Sequence, residues 1–161
     1  MRTIITALVL AALSVVFAGD DAPSPAPHFT AKTVDGERFS NESLMGKVVL
    51  VQFWATWCHY CRSEQSMVDD ISREFADKGL VVLAVDVGES KKKVKKYLDD
   101  SPRACKIVLN EDTNLPALYA ATAYPVYVLI DREGNVAGIQ RGAGGERALR
   151  YLLRKAGLES E

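Results

Sequence analysis

The chain has 161 residues, 48% of them hydrophobic and 25% charged, with 20 Lys+Arg against 21 Asp+Glu. This is an ordinary globular composition, and the length suits one domain with its own core. The balanced charge gives no reason to expect a nucleic-acid partner, and three cysteines are too few for a disulfide-rich scaffold.

Met1-Arg2-Thr3 is a short positive start, and residues 4–17 (IITALVLAALSVVF) are apolar apart from Thr6 and Ser14. Val16-Phe17-Ala18 offers small or aliphatic residues at the −3 and −1 positions of a cleavage site. Residues 1–18 therefore predict a secretory signal peptide, or failing cleavage an N-terminal anchor, and a periplasmic or otherwise extracytoplasmic location. The apolar run is short against the roughly 20 residues that span a bilayer, so a membrane partner is expected only if the segment is uncleaved. Residues 19–26, GDDAPSPA, read as a Pro-rich linker, and residues 27–161 as one domain.

FTAKTVDGERFS (29–40) reads as an N-terminal β-hairpin around Asp35-Gly36. VVLVQFW (48–54) is a β-branched apolar run interrupted only by Gln52, the pattern of a buried central strand. A helix is expected from Cys58 to Lys78, stopped by Gly79. LVVLAVDV (80–87) follows as a second buried strand, then a helix over 90–99 capped by Ser90. A short strand (106–110), a short helix (115–121), a strand (125–131), its return (136–140) and a helix (145–156) complete the chain. The order predicts an α/β class with a central mixed sheet flanked by helices on both faces. A functional loop is expected beyond the carboxyl end of a central strand.

Cys58-His59-Tyr60-Cys61 falls at that place. A cysteine at a helix N-terminus faces unpaired backbone N–H groups, which favour thiolate, the attacking species. A second cysteine one turn later can resolve a mixed disulfide. A permanent structural bridge over so small a loop would stabilise little, because the entropic gain grows with loop length. A zinc or copper clip would need more ligands than His28, His59 and three cysteines supply at suitable spacing, so no metal or cofactor is expected. Cys105 reads as a buried free thiol behaving as a small hydrophobe. The run Lys91-Lys92-Lys93-Val94-Lys95-Lys96 reads as a solvated helix face.

With these residues on view, the stretch Gly46-Lys47-Val48-Val49-Leu50-Val51-Gln52-Phe53-Trp54-Ala55-Thr56-Trp57-Cys58-x-x-Cys61-Arg62-x-Glu64 resembles the thioredoxin-like, TlpA/ResA-type family of extracytoplasmic thiol–disulfide oxidoreductases. The resemblance continues through Tyr124-Pro125-Val126-Tyr127-Val128-Leu129-Ile130-Asp131 and covers roughly residues 27 to 157. It implies a thioredoxin-like fold, with Cys58 as exposed nucleophile and Cys61 as resolving thiol. It also implies Trp57 flanking the site and Pro125 as a cis-proline against the disulfide where substrate backbone binds. Glu64, three residues beyond Cys61 on the same helix face, would take or give the proton of Cys61. The bland alternative is a solvated glutamate paired with Arg62 or Arg73. Implied partners are cysteine-containing substrate proteins and a membrane electron donor. The family leans toward reduction, including the preparation of cysteine pairs for cytochrome c haem attachment.

Several positions depart from the family pattern and touch the substrate side of the site. His59 and Tyr60 lie between the cysteines, Tyr60 where many members carry proline, and Tyr124 precedes Pro125 where a smaller residue is common. Ser66 replaces a kinking proline, so a straighter helix is expected. Gln52 stands where classical thioredoxins bury an aspartate, which leaves proton handling to Glu64. A protonated His59 would favour the neighbouring thiolate, at most roughly 30 mV toward oxidising behaviour per unit of thiol pKa. Peroxide reduction is not expected, since Ala55 replaces the threonine that such a site carries three residues before its cysteine. The alternative from another class is a module that binds a metal or a client through the same loop without turnover.

Overall fold

The computed structural model describes residues 24–159; the predicted signal segment lies outside them. Eight strands form a single sheet in the order β1-β8-β7-β4-β5-β6-β2-β3. In chain order these are β1 (Ser24–Pro25), β2 (Thr30–Thr33), β3 (Arg38–Ser40), β4 (Val48–Trp54), β5 (Leu80–Asp86), β6 (Lys106–Thr113), β7 (Val126–Ile130) and β8 (Asn135–Arg141). The helices are α1 (His59–Ser63), α2 (Gln65–Glu74), α3 (Lys91–Asp100), α4 (Leu115–Leu118) and α5 (Gly145–Arg154), with a 3-10 turn at Glu42–Leu44.

β4 is central because every residue in it is buried on both faces. It runs parallel to β5 and antiparallel to β7, so the sheet is mixed. Alternation splits the core in two. Val48, Leu50 and Trp54 pack with residues of α1, α2, α3 and α5, whereas Val49, Val51 and Phe53 pack with α4, Leu44 and the N-terminal Phe29. Both faces are covered, as expected, but four helices share one face and the other is closed mainly by short turns and the N-terminal segment. Close packing is visible at Gly138 on β8, where an added Cβ would sit 2.7 Å from the Leu152 side chain of α5.

Differences from the sequence expectation have local causes. The helix expected from Cys58 to Lys78 is two helices, broken at Glu64 (φ −97°, ψ −1°) although Ser66 supplies no proline. The break coincides with the burial of the Glu64 side chain. The second helix stops at Glu74, and turns through Phe75 and Ala76 carry the chain to Gly79, whose φ of +84° suits glycine. β6 runs three residues longer than expected because Ala31 of β2 pairs with its far end at Thr113. β2 and β3 pair antiparallel around Gly36 as the expected hairpin. In the expected linker, Ser24–Pro25 pairs with β8 and Ala26 is buried.

Candidate active site

β4 ends at Trp54, and the turn that follows folds back through the Cys58 amide, which donates to Ala55 O at 3.1 Å. Cys58 caps α1: its Sγ accepts from Cys61 N–H at 3.2 Å. The two cysteines are joined as a disulfide with their Cα atoms 5.3 Å apart. Cys58 is 5% exposed and Cys61 2%. The resemblance implied an exposed Cys58; in the oxidised protein it is nearly covered, because its sulfur is bonded inward and turned onto the α1 amide.

The Tyr124–Pro125 bond is cis. β7 begins directly after it, and Val126 is opposite Phe53 near the end of β4, which places Pro125 at the same end of the sheet as the disulfide. The Trp57 ring stands edge-on to Tyr124 at 6.1 Å, and Tyr124 is fixed by its hydroxyl donating to Ala121 O at 3.0 Å. Trp57 is 62% exposed and Tyr60 64%, so large aromatic surface frames the pair. The exposed His59 ring packs edge-on against Tyr60 at 5.7 Å. On the other side an open cleft of about 610 Å³ runs from His59 and Arg62 along α2 to Tyr97 and Pro102.

Glu64 is buried and pairs with neither Arg62 nor Arg73. Arg73 binds Asp70 instead. Glu64 Oε2 accepts from the Tyr127 hydroxyl at 2.7 Å, and Oε1 from the Gly145 amide at the start of α5, also at 2.7 Å. Gln52, fully buried, donates to the Tyr127 oxygen and accepts from Arg103. Arg103 forms a buried ion pair with Asp69 at 3.0 Å and lies over the Trp54 ring. Burial is the first cause that pushes the Tyr127 hydroxyl far above its ordinary range, and Glu64 adds to it.

A second buried carboxylate group holds the loop before the cysteines. Glu89 accepts from Thr56 N–H at 2.6 Å and from Thr56 Oγ1 at 2.7 Å, and it pairs with Lys93. Glu89 N–H in turn donates to Asp86 Oδ1 at 3.0 Å, while Asp86 Oδ2 has no hydrogen bond. Burial, reinforced by the neighbouring Glu89, pushes the Asp86 carboxyl up to about 7. Burial would raise Glu89 too, but hydrogen bonds led by Lys93 outweigh it and hold that group below the usual carboxylate range.

The structure thus places Trp57, Cys58, His59, Tyr60 and Cys61 in one turn and the start of α1, sets Tyr124 and Pro125 at the same end of the sheet, and buries Glu64 where α1 gives way to α2. It adds residues the sequence reading did not single out as a site: Tyr127, Asp69, Arg103, Asp86, Glu89 and Thr56. Their one visible signal was a polar side chain inside an apolar strand, as with Tyr127 and Asp86. Cys105 is free and buried, its Sγ 3.6 Å from Asp69 Oδ1, and burial pushes its thiol up to about 12. Among the described residues no group of three or more His, Cys, Asp or Glu is placed to hold a metal ion.

The family model described as AhpC/TSA family matches residues 22–139. The chain belongs to this family. It is 35% identical to the thioredoxin-like protein YneN of Bacillus subtilis over 131 residues, 80% of this chain and 76% of that protein. It is 32% identical to the thiol-disulfide oxidoreductase ResA of the same organism over 145 residues, 88% of this chain and 81% of the relative. The crystal structure of a thiol:disulfide interchange protein of the thioredoxin family from Chlorobium tepidum superposes with a TM-score of 0.71 at 32% identity, covering 85% of this chain and 98% of that one. The fold is thioredoxin-like and the protein is a thiol–disulfide oxidoreductase. Within this family Ala55, fully buried, stands three residues before Cys58 and offers the sulfur no hydrogen-bonding side chain.

Proposed function

We propose that the protein works outside the cytoplasm as a reductase of substrate-protein disulfides, with Cys58 as the attacking thiolate and Cys61 as the resolving thiol. In the reduced enzyme Cys58 attacks one sulfur of a substrate disulfide. That bond breaks, the second substrate sulfur leaves as thiolate, and a Cys58–substrate mixed disulfide forms. Cys61 then loses its proton to Glu64 and attacks Cys58 Sγ. The mixed disulfide breaks, the substrate departs with both sulfurs reduced, and Cys58–Cys61 is left oxidised by two electrons. A membrane electron donor returns them. Trp57, Tyr60, Tyr124 and Pro125 form the surface on which the substrate chain lies, and His59 borders it. Cysteine pairs awaiting haem attachment are the substrate class that the family resemblance favours.

The observation that carries the direction is the setting of His59. Its ring packs on Tyr60 and faces solvent, where water would screen any charge it carries. That setting supports only a small contribution of His59 to the thiolate, and so a pair less oxidising than a buried imidazolium there would give. The test is the equilibrium potential of Cys58–Cys61 in a dithiothreitol or glutathione buffer with Cys105→Ser in place. A value near or below thioredoxin's, about −270 mV, is expected. A value toward about −120 mV would reverse the direction and make the protein a disulfide-forming oxidant.

A further inference from the structure

A one-way chain of buried hydrogen bonds ends on Glu64. It starts at Arg103, which is anchored on its other side by donating Nε–H to the two oxygens of Asp69 of α2 at 3.0 and 3.1 Å. The Arg103 side chain is 1% exposed and that of Asp69 6%. Arg103 donates a second N–H to Gln52 Oε1 at 3.1 Å. That contact fixes the amide, because the flipped Gln52 would set its NH2 against a guanidinium that can only donate. Gln52 Nε2 therefore faces the Tyr127 oxygen, at 3.3 Å, and the one hydroxyl hydrogen of Tyr127 goes to Glu64 Oε2 at 2.7 Å. Bonds aligned in this way polarise one another in a dry interior. Tyr127 also shares one packed cluster with Cys58 and Cys61.

We infer that Tyr127 is the positioning residue for the carboxylate that serves Cys61: its hydroxyl, oriented by Gln52 and the Asp69–Arg103 ion pair, fixes Glu64 Oε2 and leaves the group ready to accept the Cys61 proton. This rests on the reading of Glu64 as that acceptor. In the resolving step the proton moves from Cys61 Sγ to Glu64, and the freed sulfur pair attacks Cys58 Sγ. Tyr127 keeps its own proton throughout and transfers none.

The experiment uses the whole protein with Cys58 loaded with glutathione as a mixed disulfide and follows glutathione release from pH 5 to 9. Wild type, Tyr127→Phe, Glu64→Gln and the double variant are compared. Phenylalanine keeps the ring and its packing, and a thermal melt of each variant checks the fold. Losing a hydrogen bond to a charged acceptor should move the midpoint of the Tyr127→Phe profile to higher pH by roughly one unit, with the plateau rate kept. Glu64→Gln should flatten the same limb, and the double variant should match Glu64→Gln, because Tyr127 acts only through Glu64. A purely structural Tyr127 would lower the melting point and leave the midpoint in place. If Tyr127→Phe overlays wild type while Glu64→Gln does not, the positioning role is wrong and the Glu64 reading survives. If Glu64→Gln also overlays wild type, the Glu64 reading fails and takes the inference with it.

Discussion

Asp86→Asn should stabilise the folded protein at pH 8 and leave it unchanged at pH 4. Asp86 is fully buried at the end of β5, and its carboxyl is pushed from 3.8 up to about 7, first by burial and then by Glu89. An unfolded chain ionises this group near 3.8, so between that pH and about 7 it sheds a proton that the native state keeps. Native stability therefore falls as pH rises through this window and levels off above it. About three units at roughly 1.4 kcal/mol each give an upper value of about 4 kcal/mol. Asparagine cannot ionise and escapes that loss. Its oxygen can keep the Glu89 amide bond of 3.0 Å, and its NH2 takes the place of the unpartnered Oδ2. A gain of about 2–4 kcal/mol at pH 8, roughly half of that at pH 5.5 and none at pH 4 is expected. Urea denaturation of the oxidised protein at the three pH values reads it directly. A gain of equal size at every pH, or a loss at pH 8, would show that Asp86 does not carry a native-state proton and that the reasoning is wrong.

Other outcomes follow from the same geometry. Cys58→Ser should abolish reduction of protein disulfides, whereas Cys61→Ser should accumulate a mixed disulfide through Cys58 that mass spectrometry detects. Full activity in Cys58→Ser would remove the assigned chemistry. In the reduced protein at pH 8, the attacking thiol Cys58 should alkylate first and Cys105 only after denaturation, since burial holds its thiol at about 12; a Cys105 that reacts as fast as Cys58 would contradict its placement. Arg103→Met should cost about 3–5 kcal/mol by leaving Asp69 buried without its cation, and adding Asp69→Leu should recover most of it. A loss below about 1 kcal/mol in equilibrium denaturation would mean that the pair is open to water.

The parts of this architecture that depend on periodicity were legible in the sequence. The largely apolar runs 48–54 and 80–87, broken only by Gln52 and Asp86, announced buried central strands, and Cys58-x-x-Cys61 after the first of them located the reactive loop. The cis bond before Pro125 came from family resemblance, since a proline alone does not declare its isomer. What stayed hidden depends on contacts between distant residues. Glu64 was assigned to Cys61 through the resemblance, with a solvated helix glutamate as the alternative, and the approach of β7 and the first turn of α5 that buries it leaves no local sign in the sequence. Arg103 lies in a loop after α3, where nothing local distinguishes a buried guanidinium from a solvated one. The break at Glu64 was missed for a related reason: proline is the usual local cause of such a break, and here the change of helix direction accompanies the burial of one carboxylate.

The short pairing of Ser24–Pro25 with β8 also has a consequence for orientation. Its register sets these residues opposite Val136 and Asn135, at the turn end of the β7–β8 ribbon, while the cis-proline and the disulfide lie at the other end, beyond Val126 and Arg141. Five residues of β7 separate the two ends, some 15 Å of strand. Ser24, opposite Val136, is the nearer of the two to the reactive end, so β1 runs from that side toward the turn and covers the outer edge of β8 there. An edge closed in this way offers no free backbone groups to a neighbouring chain at the turn end of the ribbon.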